Sequence, residues 1–205
     1  MGSDSILSQV EKYYIEKIRT HGPTSRGVDW NSQESQQLRF TQLLKLIDHD
    51  RAFTVNDFGC GYGALADYLK RNGDNFRYTG FDISPEMTAS AKELNPDMDF
   101  IGDKAELREA DYTLASGIFN VKLNTPDDDW KNYMLGVLDT INSLSKTGFA
   151  FNALTKYSDA EFMRGDLYYA DPLFIFDHCK TRYSRFVALL HDYQLYEFTI
   201  LVRKV

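Results

Sequence analysis

A mostly parallel β-sheet with helices on both faces is the fold that this 205-residue sequence predicts. From Phe53 onward, short strand-like runs alternate with amphipathic helical runs, the order expected of an α/β protein. The runs are joined through helix caps and short turns rather than long linkers. The last two, residues 185–190 and 195–202, are separated only by His191-Asp192-Tyr193-Gln194 and read as an antiparallel hairpin, bringing the strands to seven. At this length, and with 43% hydrophobic residues, one domain can bury a full core. The expected division is a single domain over 1–205, with a helical cap over 1–50 and an α/β core over 51–205.

In the cap, Leu7, Val10, Tyr14 and Ile18 share one face of a helix that His21-Gly22-Pro23 stops, and residues 24–30 form a loop. Asn31 is expected to cap a second helix with Glu34 as its capping-box partner. Phe40, Leu43, Leu44 and Ile47 are that helix's buried stripe, and Gln36 and Arg39 its polar face. The first strand spans 53–58, and its helix ends at Asn72-Gly73. The second spans 76–81 and ends in Asp82; Ser84 then caps a helix with Pro85 in its first position, closed by Asn95-Pro96.

Strands three and four are expected over 98–101 and 112–116. Trp130, Tyr133, Met134, Val137, Leu138 and Ile141 recur at the spacing of an amphipathic helix. Asp127, Asp128 and Asp129 precede them, at the positive end of its dipole, and are read as dipole partners rather than metal ligands. Strand five is expected over 149–154, an active-site loop over 157–170, and a helix opened by Asp171-Pro172 and running to about Cys179.

The net charge is −7, from 30 acidic and 23 basic residues, and no basic stretch exceeds a pair. Phosphate neutralisation needs Lys and Arg, so the sequence argues against a nucleic-acid partner. No apolar run approaches the roughly 20 residues of a membrane span. Residues 1–10 hold no basic region followed by an apolar core, so a cytoplasmic location is expected, with no membrane partner. Cys60 and Cys179 fit neither metal-ligand spacing nor a disulfide framework.

The most informative segment is Asp57-Phe58-Gly59-Cys60-Gly61-Tyr62-Gly63, an acid ending a strand and three alternating glycines at a helix start. Glycines let the backbone approach a ligand, and the helix start offers unpaired N–H groups. Gly59, Gly61 and Ala64 also satisfy the dinucleotide fingerprint. Asp82 follows Gly59 by 23 positions, where a carboxylate can take both ribose hydroxyls of an adenosine. With Asp82-Ile83-Ser84-Pro85-Glu86-Met87 as the second motif, the chain resembles the class I S-adenosylmethionine-dependent methyltransferases.

That resemblance implies a Rossmann-like, mostly parallel seven-stranded sheet with a C-terminal antiparallel hairpin, and S-adenosylmethionine as cofactor, released as S-adenosylhomocysteine. It implies that the backbone of Gly59, Cys60, Gly61, Tyr62 and Gly63 surrounds the methionine part, with Asp57 near the amino group or bonding the loop. Asp82 would hold the ribose, Asp103 and Lys104 the adenine, and Ser116, Gly117 and Ile118 the floor beneath the methyl group. Ile83 and Met87 would pack on the adenosine. The N-terminal helices are expected to fold over the cofactor as a lid, with Gln36 or Arg39 reaching the carboxylate and Trp30 closing the pocket.

Acceptor candidates follow from position beyond the strands' C-terminal ends: Asn120, Lys122, Asn152, Thr155, Tyr168, Tyr169, Asp171, His191, Asp192 and Tyr193. Of these, His191, Asn120 and Tyr168 are taken as catalytic, His191 as general base or orienting group. The Asn-Pro-Pro-Tyr motif of amide N-methyltransferases is absent, since strand four is followed by Ser116-Gly117-Ile118-Phe119-Asn120. The expected reaction is methyl transfer to an oxygen or nitrogen of a small acceptor. A non-catalytic cofactor-binding module is the alternative, and a nicotinamide oxidoreductase would want a Tyr-x-x-x-Lys constellation after strand five, which is missing.

Overall fold

The computed structural model describes residues 3–204, so Met1, Gly2 and Val205 lie outside the description. Seven strands form one sheet in the order β3-β2-β1-β4-β5-β7-β6. They are β1 (Phe53–Phe58), β2 (Phe76–Phe81), β3 (Asp99–Ile101), β4 (Ala110–Ala115), β5 (Ser145–Leu154), β6 (Phe186–Leu190) and β7 (Glu197–Arg203). β1 to β5 are mutually parallel, and β7 runs antiparallel between β5 and β6. The hairpin and the mostly parallel sheet are therefore as the sequence predicts.

Side chains alternate across the strands and feed two apolar layers. Phe53, Val55, Leu114 and Ala150 face one layer with Leu43, Leu65 and Leu69. These come from α2 (Gln33–Leu44) and α3 (Ala64–Asn72). Phe58, Phe149, Phe151 and Phe198 face the other, with Trp130, Met134, Leu138, Ile175 and Cys179. Those belong to α5 (Asp127–Ser143) and α6 (Pro172–Arg182); α4 (Pro85–Leu94) completes the first layer through Ala91.

The cap differs in two respects from the expected lid. Of the two long cap helices, α1 (Ser3–His21) reaches the cavity at Asp82, while α2 packs in the helical layer on β5 and β7. The cap of α2 is Ser32 rather than Asn31: Ser32 Oγ accepts from Ser35 N at 3.1 Å, and Ser35 completes the box in place of Glu34. The strand boundaries shift as well, β5 starting at Ser145 and β4 at Ala110.

Between Ile101 and Ala110 the crossover holds only a three-residue 3-10 turn, Lys104–Glu106. Parallel crossovers usually carry a helix that covers the sheet. Here α1 helps instead, placing Ile6 in the cluster that holds Phe58 and Phe81.

Candidate functional site

The three loop glycines all adopt positive φ, 82° at Gly59, 54° at Gly61 and 84° at Gly63. Side chains are strained there and would also collide: a Cβ on Gly59 would lie 2.2 Å from Ile118 Cγ2. The loop so formed turns Gly61 N toward Asp82 Oδ2, at 2.8 Å, while Ser84 N donates to Asp82 Oδ1 at 2.9 Å. Each Asp82 oxygen keeps a further lone pair, and the carboxylate lines a cavity of about 700 Å³. Burial pushes its pKa up to about 6, against the pull of those two N–H groups.

Gly59, Gly61, Ile83, Met87, Lys104, Ser116, Gly117 and Ile118 line the same cavity, with Trp30 from the cap. Ser116 Oγ is buried there without a hydrogen-bond partner, the condition of a group awaiting a ligand. Gly117 N is held by Asn152 Oδ1 at 2.7 Å. Ile6, Leu7, Val10 and Tyr14 of α1 close one side, and Asp129, Asn132, Tyr133 and Gly136 of α5 close another. A carboxylate with spare acceptors, an approachable glycine backbone and an apolar wall fit an adenosine-bearing cofactor.

Other expected cofactor residues stand outside this cavity. Asp57 is buried and accepts from Tyr78 Oη at 2.7 Å, with burial pushing its pKa up to about 7. It supports the loop from beneath. Cys60 is buried and points its thiol at Gly61 O, and Tyr62 donates to Gln36 Oε1 at 2.9 Å, so Gln36 and Tyr62 satisfy each other. Gly63 is the N-cap of α3. Asp103 is exposed and caps the 3-10 turn by accepting from Ala105 N at 2.9 Å.

Arg39, expected at the methionine carboxylate, is committed elsewhere. Its Nε and Nη2 donate to the two oxygens of Glu197, both at 2.8 Å, and its guanidinium stacks 3.8 Å from the Trp30 ring centroid. Both partners line a second cavity of about 810 Å³, which shares Tyr14, Val28, Trp30 and Gly117 with the first. Trp30 has the largest side chain of the four residues that border both cavities. Its loop is moored by Asp29, a left-handed residue (φ 62°) whose carboxylate accepts from Tyr13 Oη at 2.7 Å and Lys17 Nζ at 2.6 Å.

This second cavity lies beyond the C-terminal ends of β4 and β5. Of the acceptor candidates it gathers Asn120, Tyr169 and Tyr193. Asn120 is held on both sides, its Oδ1 accepting from Leu154 N at 3.1 Å and its Nδ2 donating to Glu197 at 3.3 Å. Tyr168 is buried outside both cavities, where its N–H bonds Asn120 O at 2.8 Å. His191 is exposed and also outside both, packed beside Tyr157 and Phe198 at ring distances of 6.1 and 6.2 Å. The hairpin brings the turn to the correct sheet edge but points its imidazole away from the cavity. Lys122 pairs with Asp127 and Asp171 with Lys156. Asp29, Phe162, Arg164, Tyr196 and Glu197 complete the wall without having been singled out in the sequence.

Gly117 is where the two cavities meet, and its φ of 78° and the Trp30 ring leave no room for a side chain: a Cβ would lie 2.2 Å from Trp30 Cζ2. Gly117→Ala should therefore displace Trp30 and cost about 1–2 kcal/mol of stability from backbone strain alone. Urea unfolding and Trp30 emission check this; a variant unchanged in both would rule out the close approach of Trp30 to Gly117.

A family model for the methyltransferase domain matches residues 55–138. A protein of Mycobacterium tuberculosis (strain ATCC 25618 / H37Rv), named "Putative methyltransferase Rv1506c", is 54% identical over 164 residues, spanning 78% of this chain and 99% of the relative. Human N-acetylserotonin methyltransferase, solved with S-adenosylmethionine, superposes with a TM-score of 0.68 at 18% identity, covering 100% of this chain and 60% of that one. A Burkholderia thailandensis 1,6-didemethyltoxoflavin-N1-methyltransferase, solved with that compound and S-adenosylhomocysteine, gives 0.67 at 16% identity, covering 100% and 91%. At these identities the structural likeness speaks for a shared fold.

Proposed function

This chain belongs to the class I S-adenosylmethionine-dependent methyltransferases, and we propose that it methylates an oxygen or nitrogen of a small molecule bound in the second cavity. The observation that carries this reading is the meeting of the two cavities at Trp30 and Gly117. A module that only bound the cofactor would have no use for a second chamber joined to the first at that point.

S-adenosylmethionine, when bound, supplies a methyl group already activated on a sulfonium. The chain's own task is to align and to exclude water. Asp82 accepts the ribose hydroxyls while Gly61 N and Ser84 N fix its carboxylate. Ile83 and Met87 give the adenosine an apolar bed, and Ser116 Oγ offers an uncommitted hydroxyl. On the acceptor side, Trp30 and Tyr14 screen the junction from solvent. Burial holds Tyr14 far above the usual phenol range, so it donates a hydrogen bond rather than taking a proton.

No imidazole lines either cavity among the described residues. Both carboxylates that line the second cavity are already occupied, Glu197 by Arg39 and Asn120, Asp29 by Lys17 and Tyr13. Transfer would then rest on proximity, with the acceptor's proton passing to solvent water. No helix among the described residues is long and apolar enough to cross a membrane, and the two cysteines are buried free thiols, which suit a cytoplasmic setting.

Acceptor-dependent release of S-adenosylhomocysteine, measured with Trp30→Ala beside the native chain, tests the reading. Losing the indole should lower turnover by about tenfold or more, since misplacement by an ångström costs on the order of a hundredfold. Equal turnover with and without the indole would disconnect the junction from catalysis. Failure of the native chain to form S-adenosylhomocysteine with any acceptor would favour the binding module.

A further inference from the structure

We infer that Phe162 and Tyr196 form a stacking shelf at the mouth of the second cavity for the outer ring of a flat, uncharged, multi-ring acceptor. This rests on the second cavity being the acceptor site. The two rings line that cavity, lie 5.9 Å apart at a 35° tilt, and are 60% and 42% exposed. Scattered exposed aromatics are ordinary, whereas paired ones at a cavity mouth mark a binding surface.

The shelf is held in place without a ligand. Tyr196 Oη donates to the Asp159 carboxylate. Asp159 O also accepts from Phe162 N at 3.0 Å, so one residue holds the Tyr196 hydroxyl and the backbone that carries Phe162. Tyr196 O further accepts from Thr155 N at 3.1 Å, tying the hairpin turn to the end of β5. Side chains already ordered lose little freedom when a ring settles on them, so the stacking energy is realised as affinity.

Charge narrows the ligand further. The cavity is lined by two acids and two arginines, and each already faces an opposite charge: Asp29 with Lys17, Arg39 with Glu197, Arg164 with Asp166. An ionic acceptor would find no unmatched partner and would still lose its hydration. Inside the shelf, Trp30, Tyr169 and Tyr193 continue the aromatic lining toward Gly117. A chamber of matched charges, aromatic from junction to rim, selects a neutral ring system long enough to reach both ends.

The test is calorimetric binding of 2-naphthol, phenol, methyl glucopyranoside and 1-octanol to the native chain saturated with S-adenosylhomocysteine, repeated with Phe162→Ala and Tyr196→Ala. 2-Naphthol should bind most tightly, and each substitution should weaken it by about fivefold, the size of one aromatic contact, while changing phenol by less than twofold. Equal or tighter binding of the sugar or the alcohol, or 2-naphthol affinity unchanged in both variants, would overturn the shelf. If S-adenosylhomocysteine itself fails to bind the native chain, the methyltransferase reading falls first; if it binds and 2-naphthol does not, only the shelf is lost.

Discussion

Glu197→Ala should destabilise the protein by about 3–5 kcal/mol, read as a lowered urea midpoint. Glu197 opens β7 with its side chain fully buried, and its oxygens take two donors from Arg39 and one from Asn120. The Arg39 side chain is only 8% exposed. Removing the acid strands a guanidinium that cannot shed its proton. Arg39→Leu should cost less, particularly in acid, because an isolated carboxyl can neutralise itself by taking a proton. The double variant Arg39→Leu/Glu197→Leu should recover most of the loss, since apolar replacement of a buried pair is often close to neutral. An unshifted midpoint in Glu197→Ala would show that the pair does not join α2 to β7 energetically. The same pair walls the second cavity and backs Trp30, so acceptor binding should fall with it.

How much of this was legible beforehand depended on range along the chain. The cofactor loop could be read because its reasons are local: positive φ at Gly59, Gly61 and Gly63 demands glycine, and Asp82 ends the neighbouring strand. The Arg39–Glu197 pair spans 158 positions, and nothing near either residue announces the other. A single acid at the edge of the apolar run 195–202 was the available signal, since a carboxylate there must find a cation once buried. The spacing of Tyr133 and Val137 identifies an apolar helix face without saying whether protein or ligand fills the space before it, and both line the first cavity. Gly136 beside them carried a hint, as glycine inside a helix costs about 1 kcal/mol and wants a reason. For His191 the topology was sound, but the direction of a side chain in a four-residue turn is set by local dihedrals that the pattern does not encode. The missing crossover helix was countable in advance, because residues 102–109 are too few for a helix with its connections.

Asp82→Ala should weaken S-adenosylhomocysteine binding at least about tenfold, the loss expected for a charge-assisted contact of about 1.5–3 kcal/mol. The pH dependence gives a sharper test. Ribose hydroxyls would donate to the ionised carboxylate, whose pKa burial pushes up to about 6. Affinity should therefore level off above pH 7 and fall about tenfold by pH 5, and Asp82→Asn should flatten that slope. Stability without ligand should move the other way. Asp57 and Asp82 have folded pKa values of about 7 and about 6, above their unfolded ones. The folded state then holds protons that the unfolded state has released, so stability falls as pH rises from about 4 to about 7. His49, whose burial pulls its pKa down but whose hydrogen bonds with Asp74 and the Leu44 carbonyl bring it above the ordinary value, adds the same sign, because its contribution is lost as pH rises through the folded value. The carboxylates held low, Asp166 beside Arg164 and Asp171 beside Lys156, change charge only below that window. Between pH 5 and 7, calorimetry should thus record tighter binding to a less stable protein. An affinity that stays flat from pH 5 to 7 would deny Asp82 its ionised contact with the ribose, stability that rises over that range would deny the two buried acids their raised folded pKa values, and a persistent affinity slope in Asp82→Asn would pass the dependence to Asp57 beneath the loop.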